Sequence, residues 1–147
     1  MEFKDFSLFI KHTKVSKFAD YLGEGKIMAT KCKNCGCEYY PPRADCSKCM
    51  TSDLEWFELG GKGKLYAFTC INVPPAHFDV HFANLTPPFS KSKYIGCPVG
   101  YLEMENGLKV MGWIPKISLK EMKVGMELKP VAQTLPDGKV TVCFVAA

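Results

Sequence analysis

The pattern of apolar and polar positions divides the chain into strand-length runs separated by turn residues. From Lys64 to Ile71 the side chains alternate in character, which predicts a strand. Val99–Met104 predicts a second strand and Leu108–Ile114 a third. Asn106-Gly107 between them suits a hairpin, since a tight turn needs positive φ and these residues tolerate it. Ser118-Leu-Lys-Glu121 has the spacing of a capping box and predicts a short helix ended by Gly125. Met126–Thr134 and Val140–Val145 predict two more strands, joined by a turn at Asp137-Gly138. The stretch from Val73 to Tyr94 has no such pattern. Its Pro74, Pro75, Pro87 and Pro88 oppose regular structure, and loops this long inside a compact domain are often functional.

Five strands with a helix between the third and fourth are the layout of an OB-fold, a small Greek-key barrel. Residues 59–147 are therefore expected to form it. Gly60-Gly61-Lys62-Gly63 leads into it as a sharp turn; the run lacks the length and the Ser/Thr of a phosphate loop. Residues 1–30 are expected to be a helical arm. In it, Ser16 would cap a helix, Phe18, Ala19 and Leu22 would form its apolar stripe, and Gly23 would end it. Residues 31–58 hold too few apolar side chains to fold alone, so a metal is expected to support them. The expected fold class is mainly β: helical arm, metal ribbon and five-stranded barrel.

Cys32-Lys-Asn-Cys35 and Cys46-Ser-Lys-Cys49 carry the strongest chemistry. They are two C-x2-C knuckles separated by ten residues. Knuckles that face each other place four sulfurs at tetrahedral corners, the arrangement zinc prefers. Four thiolates leave no open coordination position, which makes the expected zinc, one per chain, structural rather than catalytic. Iron also suits a sulfur cage and would make the chain an electron carrier. Gly36 follows the first knuckle, but Met50 follows the second where glycine is expected, so the second is the more strained. Cys37 is an extra thiol beside the site, either an alternative to Cys35 or a bystander.

Other constellations are weaker. His77 and His81 stand four apart around Asp79, a metal-binding spacing only on a helix, which Pro74 and Pro75 oppose. Cys70, Cys97 and Cys143 read as buried small apolar groups, since no Cys/His pairing is legible. Tyr66, Phe68, Tyr101 and Trp113 suit either base stacking or a barrel core, and core is the stronger reading. Nothing resembles a Ser-His-Asp triad or a dinucleotide fingerprint.

The net charge of +4 is unevenly spread. Residues 1–58 carry nine Lys/Arg and nine Asp/Glu, whereas 59–147 carry ten Lys and six Asp/Glu, so the whole excess lies in the barrel part. Such a field can attract an anion. Arg43 is the only arginine, which argues against sequence-specific DNA reading. No apolar run approaches the length of a membrane span and no signal peptide is evident. Eight cysteines without an export signal imply thiols in a cytoplasmic setting.

Several of these motifs together carry a family resemblance. Phe18-Ala-Asp-Tyr-Leu-Gly-Glu-Gly25, Cys32-x-x-Cys35-Gly36, Tyr40-Pro41-Pro42-Arg43, Cys46-x-x-Cys49, Leu54-Glu55-Trp56, Gly61-Lys-Gly63 with Leu65-Tyr66-x-Phe68-Thr69, and Val124-Gly125-Met126 resemble the DUF35 proteins. That resemblance implies a helical arm, a rubredoxin-like zinc ribbon and an OB-fold. It also implies an acyl-CoA-associated accessory subunit of a thiolase-type enzyme, in a hetero-oligomer whose catalytic groups belong to the partner. Fatty-acyl or aromatic-compound degradation would be the setting. Met50 and the long stretch from Pro74 to Tyr94 depart from the family pattern. The expected CoA phosphate contacts are Lys62, Lys64, Lys91 and Lys93, with Arg43 available at the partner interface. The competing reading is a single-stranded nucleic-acid module, because ribbons and OB-folds serve that role too.

Overall fold

A computed structural model describes residues 14–71, 97–134 and 138–147. One helix, α1 (Lys14–Gly23), precedes β1 (Met28–Cys32), β2 (Glu38–Tyr39) and β3 (Leu54–Glu58). The barrel strands follow as β4 (Gly63–Ile71), β5 (Cys97–Met104), β6 (Lys109–Trp113), β7 (Glu127–Thr134) and β8 (Val140–Ala146). The expected boundaries hold to within a residue or two for every barrel strand.

α1 starts two residues before the expected cap, so Ser16 lies inside its first turn. Lys14 and Val15 offer no obstacle to helix, and ends drift by this much. The helix ends at Gly23, as expected, but the residue that closes it lies two positions further on. Gly25 takes φ +83 and its N–H donates to the Leu22 carbonyl at 3.0 Å, while the Lys26 N–H donates to Tyr21 at 2.9 Å. That is a Schellman closure with Gly25, not Gly23, in the left-handed position. The inward stripe is Phe18, Tyr21 and Leu22, whereas Ala19 faces solvent. The 18, 21, 22 spacing keeps all three on one helix face.

Two sheets follow. In the first, β1 is central, with β2 and β3 antiparallel on either side. The second is a closed barrel in the order β4-β5-β6-β8-β7. Neighbours run antiparallel except β6 and β8, which are parallel at Trp113 and Cys143. This is the OB-fold arrangement. Leu65, Leu102, Val110, Leu128 and Phe144, one from each strand, are fully buried in the barrel with Ile114.

The segment between β6 and β7 holds turns and no helix, contrary to the expectation from Ser118. The Ser118 carbonyl accepts from Glu121 at 2.9 Å and from Met122 at 3.1 Å, and its Oγ accepts the Lys120 N–H at 3.4 Å. One turn forms, but Gly125 at φ +89 reverses the chain before a second can. A single turn does not recover the cost of helix nucleation.

The main core continues across all three parts. Leu22 of α1, Ile27, Ala29 and Leu59 of the ribbon side, and the barrel residues belong to one cluster, with Phe18, Tyr40 and Phe57 packed against it. Asn106 adds a polar tie between the two sheets: its Nδ2 donates to Glu38 Oε2 at 2.9 Å.

Candidate metal centre

The two knuckles are built alike. In the first, the Gly36 N–H donates to the Cys32 carbonyl at 2.9 Å and the Cys32 N–H to Cys37 at 2.8 Å. In the second, the Met50 N–H donates to Cys46 at 2.9 Å and the Cys46 N–H to Thr51 at 2.8 Å. Both turns close on a left-handed residue, Gly36 at φ +72 and Met50 at φ 56. Met50 is the only non-glycine with positive φ among the described residues, and its side chain is left in solvent. The greater strain expected of the second knuckle is thus located in its backbone.

Cys32, Cys35, Cys46 and Cys49 meet, with all four Sγ atoms within 4.8 Å of one another. Cys32 and Cys49 Sγ are 3.5 Å apart, and Cys35 and Cys46 Sγ 3.4 Å. A disulfide would require about 2.05 Å. Zinc–sulfur bonds of about 2.3 Å in a tetrahedron put the sulfurs about 3.8 Å apart, so the quartet fits such an ion with small adjustment. Cys32 and Cys46 are buried; Cys35 and Cys49 are partly exposed.

Amides and one hydroxyl point at these sulfurs. The Tyr39 hydroxyl donates to Cys46 Sγ at 3.1 Å. That bond, with the Cys49 and Lys48 N–H groups, outweighs burial and pulls the Cys46 thiol down to about 5. Cys35 moves the other way. The Cys37 N–H favours its thiolate, but burial and the thiols of Cys46, Cys37 and Cys32 push it up to about 12. A shared cation removes that conflict by taking all four as thiolates.

The shell around the cage is locked by further pairs. Thr30, fully buried on β1, accepts the Arg43 N–H on its Oγ1 at 3.0 Å and returns a bond to the Arg43 carbonyl at 3.4 Å. The Arg43 guanidinium lies over the Tyr39 ring, 5.2 Å from its centre. Lys33 meets Asp53 at 3.0 Å and Ser52 donates to Asp45 at 2.6 Å, fastening the strand that returns from the second knuckle. Nothing in the cysteine spacing points to Tyr39 or Thr30. They face each other in the β1–β2 register, which a two-residue strand does not reveal from sequence.

The remaining candidates are dispersed. Lys62 and Lys64 line a groove of about 430 Å³ with Glu103, Glu105 and Glu127, and Lys62 lies 3.8 Å from Glu127. Lys91, Lys93, His77, Asp79, His81 and the stretch from Pro74 to Tyr94 lie outside the described residues, as does the Cys97 side chain. Cys143 is buried and burial pushes its thiol up to about 11; burial raises Cys70 as well. Cys143 suits the buried apolar reading, whereas Cys70 is only partly buried. The core reading of the aromatics fails for two. Tyr66 and Tyr101 are 52% and 45% exposed, beside an exposed Met111. Leu65 faces the core, so alternation puts Tyr66 outward; the register shift between Leu65 and Ala67 then leaves Ala67 outward as well and returns Phe68 to the core side, while Tyr101 pairs with Ala67 and Met111 on the outer face. Phe68 packs against the core, and Trp113 is partly buried.

The model of the ChsH2 rubredoxin-like zinc ribbon domain matches residues 19–55, and that of the ChsH2 C-terminal OB-fold domain matches 56–133. The chain belongs to the DUF35 (ChsH2) family. Among relatives of this DUF35 chain, a DUF35 domain-containing scaffold protein of Methanocaldococcus jannaschii is 28% identical over 120 residues, covering 78% of this chain and 76% of its own. A protein of the same description from Pyrococcus furiosus is 26% identical over 128 residues, covering 86% and 84%. A solved chain of the Ltp2-ChsH2(DUF35) aldolase shares the fold at a TM-score of 0.70 and 17% identity, over 92% of this chain and 95% of that one. The DUF35 cysteine quartet is thus that of a zinc ribbon, positioned to bind one metal ion. No helix among the described residues is long and apolar enough to cross a membrane.

Proposed function

We propose that this chain is a noncatalytic, zinc-containing accessory subunit of a thiolase-type enzyme, which holds the complex together and helps bind or gate acyl-CoA. The observation that carries the reading is the continuous core joining arm, ribbon and barrel. It makes a stiff platform from three short parts, as a scaffold requires. Family membership supports it, as do relatives named scaffold proteins and a structural neighbour named for a complex with an aldolase. A cage of four thiolates uses every tetrahedral position on holding structure. The test is co-expression of the tagged chain with the thiolase-like product of a neighbouring gene. Co-purification in a fixed ratio supports the reading; a chain that purifies alone and gives no binding heat with CoA esters sinks it.

The CoA phosphates are proposed to meet Lys62, Lys64, Lys91 and Lys93. Lys62 and Lys64 share their groove with three glutamates, so a phosphate there must displace Glu127 from Lys62. Replacing both lysines by glutamate should weaken CoA binding by the complex, and unchanged binding would remove them from the site.

A second reading has its own observation. Tyr66 and Tyr101 stand exposed on the outer face of the barrel, and Lys109 Nζ lies 3.7 Å from the centre of the Tyr66 ring. Aromatics on an OB face can stack single-stranded bases. Salt-sensitive gel shifts that disappear in Tyr66→Ala/Tyr101→Ala would favour a nucleic-acid module instead.

A further inference from the structure

Cys37 is the fifth sulfur of the ribbon, and the metal quartet does not use it. It packs, partly buried, against the cluster of Cys32, Cys46 and Leu54. Its carbonyl holds the Cys32 N–H at 2.8 Å, and Cys35, two positions earlier, packs against the same cluster. Gly36 between them, at φ +72, folds the chain back on itself. Cys35 and Cys37 are partly exposed, while Cys32 and Cys46 are buried. Cys49 is also partly exposed, but the sulfur nearest to it is the buried ligand Cys32 at 3.5 Å. Cys35 is therefore the ligand that has both access to solvent and a spare thiol beside it.

We propose that Cys35 and Cys37 form a redox-sensitive pair that opens the metal cage when the chain meets a hydroperoxide. The Cys35 sulfur attacks the peroxide O–O bond and becomes a sulfenic acid; the departing oxygen takes a proton and leaves as water or alcohol. The Cys37 thiol then displaces the sulfenic hydroxyl. The S–S bond forms, the S–O bond breaks, and the thiol proton leaves with that oxygen as water. Two cysteines are oxidised and one peroxide is reduced. The cage is left with Cys32, Cys46 and Cys49, and the small core of Cys32, Cys46 and Leu54 loses its clip. Thiol exchange with a dithiol restores Cys35, which makes the change reversible. None of this depends on a partner subunit or on acyl-CoA.

The test uses the full zinc-loaded chain treated with equimolar hydrogen peroxide. A chromogenic chelator follows zinc release, and mass mapping of non-reduced peptides locates the bonds. The expected result is loss of zinc with a Cys35–Cys37 disulfide, and recovery of the metal after dithiothreitol and added zinc. Cys37→Ser should start with a full complement of zinc and, once oxidised, should fail to recover it, because Cys35 proceeds to irreversible acids. A map in which disulfides join only Cys32, Cys35, Cys46 and Cys49 overturns the proposal. So does a Cys37→Ser chain that recovers its zinc as the parent does, or one that lacks zinc from the start, which would make Cys37 a ligand. The map of the parent chain decides by itself should the variant not fold.

Discussion

The Tyr39 hydroxyl lies 3.1 Å from Cys46 Sγ, so a strand of only two residues supplies a bond to a buried sulfur of the metal cage. The same hydroxyl is 3.3 Å from Ser47 Oγ, and the bond to Cys46 raises the Tyr39 pKa in return. Groups that bond to metal ligands orient them, and losing one typically costs roughly 10- to 100-fold in metal affinity. Tyr39→Phe keeps the ring under Arg43 and removes only the hydroxyl. It should lower zinc affinity about tenfold in a chelator competition while leaving the β content unchanged. Equal affinity in parent and variant would show that the bond contributes nothing.

Met50 closes the second knuckle at φ 56, where Gly36 closes the first at φ +72. A side chain in the left-handed region costs roughly 1–2 kcal/mol, and glycine avoids it. Met50 is 83% exposed, so Met50→Gly gives up little packing. The zinc-loaded variant should gain about 1 kcal/mol in urea unfolding, net of glycine's extra chain entropy. A loss of stability would show that the methionine holds contacts elsewhere.

Gly112 on β6 leaves the space that the Phe144 ring fills. A Cβ there would come within 2.6 Å of Phe144 Cε1. Both residues are buried, so the ring has nowhere to retreat without disturbing the core. Gly112→Ala should destabilise the chain by about 1–3 kcal/mol, in the range of overpacked cores. Adding Phe144→Leu should recover part of that loss, and a double-mutant cycle with no coupling would contradict the clash.

Metal removal should act locally at first. The ribbon's own core is Cys32, Cys46 and Leu54, whereas the barrel has a filled interior. Chelation should therefore raise amide exchange across β1, β2 and β3 more than across β5 and β6. Thiolates must shed protons to bind, so zinc is retained at neutral pH and lost as pH falls. Uniform deprotection of both sheets would mean that the barrel depends on the metal as well.

Much of this was legible from local chemistry. The C-x2-C pairs, Asn106-Gly107 and the Gly125 reversal are short-range signals, and each appears where its residues stand. The Ser118 box marks a helix start without ensuring enough residues to extend one; Gly125 is too near. The apolar stripe of α1 is ambiguous in sequence because Ala19 and Tyr21 fit neighbouring arcs of one helix, and only packing against Trp56, 5.4 Å from the Tyr21 ring, selects between them. Tyr66 and Phe68, two positions apart, fall on opposite faces because of a bulge between them, which alternation does not reveal. Tyr39, Thr30 and Gly112 matter through partners between 7 and 32 positions away, and such pairings exist only once the sheets form.

The proposed role is that of a structural partner for a thiolase-type subunit, with zinc fixing the chain's geometry. The most direct measurement is light scattering on size exclusion of the zinc-loaded chain mixed with the thiolase-like product of a neighbouring gene. One peak is expected, with a mass that is a whole-number sum of both subunits, and it should be lost after chelation. Two separate peaks at every mixing ratio, with zinc present throughout, would contradict it.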